Sequence, residues 1–170
     1  MKYKEIAVDS NLKLVQLRLD QAGRLFELTD SDREYLGRFL PWVQYVKSVE
    51  DSKSFIKSTI DKRLTGEEYG YGIEYDGAIV GHISLMHMND GEIPEIGYWI
   101  GSSYAGRGIT TNATRALTEF GLSELGYKRI LVRADKENPG SNKVAEKVGY
   151  KFMGEQVRGD SILNKWMYEA

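Results

Sequence analysis

Apolar and polar positions alternate along LKLVQLRL (12–19), which predicts a strand with one buried face. From Asp20 the period changes: Ala22, Leu25, Phe26 and Leu28 recur at helical intervals, with Asp20 as the expected cap. A second helical stretch begins near Ser31, with Tyr35, Leu36, Phe39 and Leu40 on one side, and Pro41 is expected to stop it. Ser48 opens a capping-box-like SVED, and Phe55, Ile56, Ile60 and Leu64 make an apolar stripe to Gly66. YGYGIEY (69–75), the DG turn at 76–77 and AIVGHISLM (78–86) read as a hairpin. EIPEIGYWI (92–100) is the next strand, with Pro94 implying a missing donor, an edge or a bulge near its start.

Ile109, Ala113, Ala116, Leu117, Phe120 and Leu125 line one side of a helix ending at Gly126. RILVRA (129–134) is a compact strand, Ser141–Val148 a helix closed by Gly149, and two strands follow around KFMGEQV and ILNKWMY. The order is a strand, three helices, three strands, then helix, strand, helix and two strands. That is an α/β mixed sheet with packed helices, not a strict strand–helix repeat. No repeat, linker or low-complexity block interrupts residues 1–170, so one domain is expected.

Composition narrows the chemistry. The chain has no cysteine, which excludes disulfides, thiolate metal sites and cysteine nucleophiles. A net charge of −2 gives no basic excess for nucleic acid. MKYKEIAVDSNLKL lacks the apolar core of a secretory signal, and no run is long enough to cross a bilayer. The default expectation is cytoplasmic, without a membrane partner. Charge is unevenly spread, however. Leu64 through Gly106 holds no lysine or arginine but seven carboxylates, whereas Arg107 onward holds eleven basic and eight acidic side chains. One stretch suits cations and the other tolerates anions, unless both are simply solvated faces.

SYAGRGITTNA (103–113) follows a strand and enters a helix. A P-loop would need Gly-Lys-Ser/Thr, and Gly108 is followed by Ile109 and Thr110. A dinucleotide fingerprint would need a third glycine where Thr111 stands. Two readings remain: a tight turn with a surface arginine, or a helix N-terminus whose amides bind an anion approached through Gly106 and Gly108.

EIGYWIGSSYAGRGITTNATRAL, together with ENPGSNKVAEKVGYKFMG (137–154), resembles the GNAT superfamily of acyl-CoA-dependent N-acetyltransferases. The superfamily pattern is Gln/Arg-x-x-Gly-x-Gly/Ala; Gly106 and Gly108 match it, and Ser103 replaces the leading residue. Asn138-Pro139-Gly140-Ser141 with EKVGYKF resembles one branch, the RimJ/RimL-type ribosomal-protein acetyltransferases, as do YLGRFLPW and SVEDSKSFIKSTI. The resemblance implies a mostly antiparallel sheet with a V-shaped splay between the fourth and fifth strands and helices on both faces. It implies acetyl-CoA as cosubstrate and no metal. Trp99, Ile100, Tyr104, Gly106, Arg107, Gly108, Ile109, Thr110, Asn138 and Asn142 would contact the cosubstrate. Transfer would be direct to a primary amine, most simply the N-terminal α-amine of a protein. A small amine such as a polyamine or amino sugar, or binding without turnover, are the alternatives. Exposed strand edges in the family also pair in homodimers.

For the chemistry, the resemblance makes Ser141 the proton donor to the departing thiolate; its residue type and place equally fit a helix N-cap. Asn138 is either a turn former before proline or a hydrogen-bonding partner of the ligands. A backbone N–H around Ile100 would polarise the thioester carbonyl. Glu95 is the candidate base: in the alternation it shares a face with Gly97 and Trp99, where partial desolvation beside the indole would strengthen it. Glu92 is a near neighbour that could substitute, and Glu95 could equally be a solvated charge. His82 and His87, five apart on one strand, are expected on opposite faces and so share no metal; His82 is either packed or a proton relay.

Overall fold

The computed structural model describes residues 3–170. Eight strands form one sheet in the order β1-β2-β3-β4-β5-β6-β8-β7. They are β1 (Glu5–Ala7), β2 (Leu12–Val15), β3 (Tyr69–Tyr75), β4 (Ala78–Met86), β5 (Glu95–Ile100), β6 (Arg129–Asp135), β7 (Lys151–Arg158) and β8 (Ser161–Glu169). All neighbours are antiparallel except β5 and β6, which are parallel and share a single aligned pair, Glu95 with Leu131. Beyond that pair the two strands part. The splay stands where the sequence placed it; the strands flanking it become fifth and sixth because Glu5–Ala7 adds one.

Five α-helices cover the faces: α1 (Ala22–Ser31), α2 (Arg33–Gly37), α3 (Val49–Thr65), α4 (Ile109–Ser123) and α5 (Pro139–Val148). On one face Ile109, Ala113, Leu117 and Phe120 of α4 and Ala145 of α5 pack with Ile83, Leu85, Ile96, Ile130 and Val132. On the other, Ala22, Leu25 and Leu28 of α1 and Ile56 of α3 enclose Ile79 and meet Trp99. The gap between β5 and β6 therefore lies between an α4–α5 layer and an α1–α3 layer.

Local chemistry explains most element ends. The reciprocal bonds of Ser48 and Asp51 start α3, and Gly66, at φ +75, closes it. Several boundaries differ from the sequence reading: the first strand ends at Val15 instead of Leu19, α2 at Gly37 instead of Leu40 and α4 at Ser123 short of Gly126, and α5 begins at Pro139 instead of Ser141. Three more have a readable cause. Asp20 does not cap α1: it lies in a 3-10 turn, Leu19–Gln21, and its carboxylate pairs with Arg18 at 3.0 Å. Pro41 starts a 3-10 turn, Pro41–Tyr45, because a fixed φ suits a first turn as well as it ends a helix. β5 begins at Glu95, after Pro94.

Candidate functional site

The site grows from the parting of β5 and β6. Leu131 N–H donates to Pro94 O at 2.8 Å, so Pro94 faces β6. In a strand the N–H and C=O of one residue project to the same side and alternate along the chain, so Ile96, Tyr98 and Ile100 face β6 too. Past the single aligned pair, the N–H groups of Tyr98 and Ile100 meet a gap instead of a strand. Ile100, the last residue of β5, thus carries its amide on the side of the gap.

After β5 the chain makes a 3-10 turn, Ser102–Tyr104, then passes Gly106 (φ +76) and Gly108 (φ +79) into α4. A side chain at either glycine would meet nothing within 4 Å, so the positive φ, not crowding, demands glycine. Gly108 is the N-cap residue, no side chain caps α4, and the first N–H groups of the helix remain for a ligand. Ile109 is buried and anchors the turn, while Thr110 is half-buried. The Arg107 guanidinium lies 5.5 Å from the Tyr104 ring centroid, exposed beside the turn. An open cradle of backbone donors with one cation at its rim fits a phosphate-bearing cosubstrate.

Across the gap lies α5. Its N-cap is Asn138, whose Oδ1 accepts from Ser141 N–H at 3.2 Å. The capping role considered for Ser141 therefore belongs to Asn138. Pro139 at the first helical position was the sequence signal for it. Ser141 is held twice through its backbone, since its carbonyl also accepts the Tyr98 hydroxyl at 2.7 Å. Its own Oγ makes no hydrogen bond among the described residues. Burial raises the Tyr98 phenol well above its ordinary value, so it stays a protonated donor in this bond. Asn142 spends its whole amide inside the fold: Nδ2 donates to Asp135 O and Asn138 O, both at 2.8 Å, and Oδ1 accepts from Asn164 and the Trp166 indole. It holds α5 onto β6 and β8.

The opposite layer contains Glu95 and Trp99. Glu95 is buried at 8% exposure, and its carboxylate pairs with Arg133 at 3.0 Å. Four residue steps along the strand separate it from Trp99, roughly 13 Å. The carboxylate is therefore balanced by a guanidinium rather than desolvated against the indole. Trp99 instead packs against Trp42, centroids 5.7 Å apart and rings tilted at 54°, in the layer opposite α4. Glu92 is exposed in the loop before β5. His87 lies past the end of β4 at φ +60; its Nδ1 meets Asp90 at 2.8 Å and its Nε2 lies 3.9 Å from Glu95. His82 is buried under Phe55, which lowers its pKa to about 4. The roles of Tyr98 and Arg133 escaped the sequence, because no local pattern reveals a partner 43 or 38 residues away.

Among the described residues no group of three or more His, Asp or Glu could hold a metal ion, and no helix is long and apolar enough to cross a membrane. A family model described as an acetyltransferase (GNAT) domain matches residues 11–151. The ribosomal-protein-serine acetyltransferase of Escherichia coli K12 is 27% identical over 150 residues, covering 88% of this chain and 84% of that one. The structure of RimL, a ribosomal L7/L12 alpha-N-protein acetyltransferase in complex with coenzyme A, superposes with a TM-score of 0.91. The two are 22% identical over 97% of each chain. The microcin C7 self-immunity acetyltransferase MccE, in complex with acetyl-CoA and AMP, gives a TM-score of 0.88 at 23% identity, over 96% of this chain and 94% of that one. Both structural likenesses speak for the fold.

Proposed function

The chain belongs to the GNAT acetyltransferase family, and from that premise we propose that its acceptor is the N-terminal α-amine of a protein. It is an acyltransferase with acetyl-CoA as donor. The observation that carries the rest is Ser141: backbone fixed at both ends, hydroxyl free, on the rim of the gap.

In this reading the turn at Gly106–Ile109 takes the phosphates of acetyl-CoA, and the Tyr98 and Ile100 amides face the thioester. As the amine attacks the carbonyl carbon, those amides stabilise the developing oxyanion. The C–S bond then breaks, and Ser141 Oγ–H protonates the departing thiolate as Oγ takes a proton from water at the mouth of the gap. Asn138 keeps Ser141 in place and offers its remaining N–H groups to a ligand, and Trp99 with Trp42 walls the acceptor side. Glu95 receives the proton lost by the amine through water, since about 13 Å of strand separates it from Trp99. An α-amine titrates near 7.7–8.0 and lysine near 10.4, so freeing lysine at neutral pH costs on the order of 3–4 kcal/mol more. A base that acts at a distance and already has a guanidinium partner suits the easier amine. The name of the E. coli relative supports the same acceptor class.

Thiol release from acetyl-CoA tests this directly. A peptide with a free N-terminal serine is compared with the same peptide N-blocked but carrying lysine, and with a mixture of polyamines and amino sugars. Turnover is expected with the free N-terminus alone, falling at least tenfold in Ser141→Ala. Turnover confined to the small amines would reject the acceptor and leave the donor chemistry standing.

A further inference from the structure

Two neighbouring residues outside the catalytic set connect both halves of the site. Asp32 sits at the junction of α1 and α2 and reaches across to residue 102. Its Oδ2 accepts from Ser102 N–H at 2.6 Å and its Oδ1 from Ser102 Oγ at 2.7 Å. Such two-point bonding to a carboxylate is strong and directional. Ser102 opens the 3-10 turn that leads into Gly106 and Gly108. Arg33, the next residue, points its fork the other way. Nη1 donates to Val43 O at 3.1 Å and Nη2 to Val46 O at 2.5 Å, while Nε pairs with Asp30 at 2.7 Å. Those carbonyls belong to the segment carrying Trp42, whose indole packs against Trp99.

We propose that Asp32 and Arg33 are positioning residues that brace the acetyl-CoA turn against the Trp42 wall, so that filling the turn is felt at the acceptor side. The inference rests on placing acetyl-CoA at Gly106–Ile109. A ligand shifts a conformation only through contacts that differ between its states. The contact at stake is the Asp32–Ser102 pair, which the filled turn would hold through the 102–108 segment. Arg33 follows on the same turn of helix and carries the loop with it. The coupling is reciprocal: loosening the wall must weaken acetyl-CoA by the same factor that acetyl-CoA steadies the wall. A lysine at 33 would keep the charge but could not span two carbonyls.

The test uses the full chain labelled with 5-fluorotryptophan, whose three indoles (Trp42, Trp99 and Trp166) give separate fluorine signals. Acetyl-CoA is titrated while its Kd is measured by calorimetry. In the native chain the Trp42 signal is expected to move on saturation. In Asp32→Ala it should stay at its free position even when acetyl-CoA saturates, with Kd raised about fivefold to tenfold. Arg33→Lys, which leaves the turn untouched, should raise Kd by a similar factor. Ser102→Ala removes only the hydroxyl bond; it should give an intermediate response, and it keeps the test if Asp32→Ala does not fold. An unchanged Trp42 response in Asp32→Ala, or a native Kd in Arg33→Lys, overturns the brace. Native binding with no movement at Trp42 overturns the brace alone. Absence of acetyl-CoA binding would overturn the placement of the donor site as well.

Discussion

Tyr98 shows how one hydroxyl can set another residue's chemistry. Its bond to Ser141 O crosses from β5 to α5, joining the strand whose amides face the gap to the helix that supplies the free Oγ. Tyr98→Phe removes that bond and leaves a carbonyl without its donor. A hydrogen bond of this kind is worth about 1 kcal/mol, so misplacing Ser141 is expected to lower kcat by roughly fivefold with little change in the KM for acetyl-CoA. Steady-state kinetics separate the two constants; a rise in KM alone would assign Tyr98 to cosubstrate binding instead. At this scale the sequence was readable where chemistry is local. It marked Ser141 and Asn138 as a unit, and Pro139 held the clue that Asn138, not Ser141, is the cap. It could not mark Arg133 as the partner of Glu95, because that pair exists only once β5 and β6 lie side by side.

Among elements, α4 is the one whose start matters most. Gly108 and Gly126 hold nearly the same conformation, φ +79 and +77, and a side chain at either would enter open space. Replacing either by alanine therefore costs about the same stability, roughly 1–2 kcal/mol for a left-handed non-glycine residue. Only Gly108→Ala also puts a methyl over the first amides of α4. Acetyl-CoA binding should weaken severalfold in Gly108→Ala and stay native in Gly126→Ala, as calorimetry on the matched pair would show. The hairpin of β3 and β4 was legible to the residue, because period-two alternation and an Asp-Gly turn fix both arms. Glu5–Ala7 was not: three residues are too few to show a period, and the strand exists through its pairing with Lys13–Val15. Asp20 misled because a capping residue type was present while a 3-10 turn occupied its place.

The fold as a whole carries an acid sensitivity. His82 is enclosed between α3 and the sheet, and its Nε2 has no hydrogen-bond partner among the described residues. Burial sets its folded pKa at about 4, below the unfolded value near 6.5. The folded chain therefore binds fewer protons in that window. The stability tied to neutral His82 is complete above about pH 6.5 and is lost as pH falls toward 4, on the order of 3 kcal/mol in all. Denaturant unfolding between pH 7 and 4 should show this decline, and His82→Gln should flatten it; an equal slope in the variant would place the sensitivity elsewhere.

The single aligned pair between β5 and β6 has one more consequence. An open sheet of eight strands ordinarily has two borders, and proteins guard them because unpaired strands recruit other chains. Parting at Glu95 and Leu131 gives this sheet four, two of them in its interior. These inner borders lie within a sheet that carries helices on both faces, α4 and α5 on one and α1 and α3 on the other. What can reach them is something narrow and extended with amide groups of its own, long enough to lie along the gap. A guest that bonds there as a strand does would make the sheet continuous across the gap.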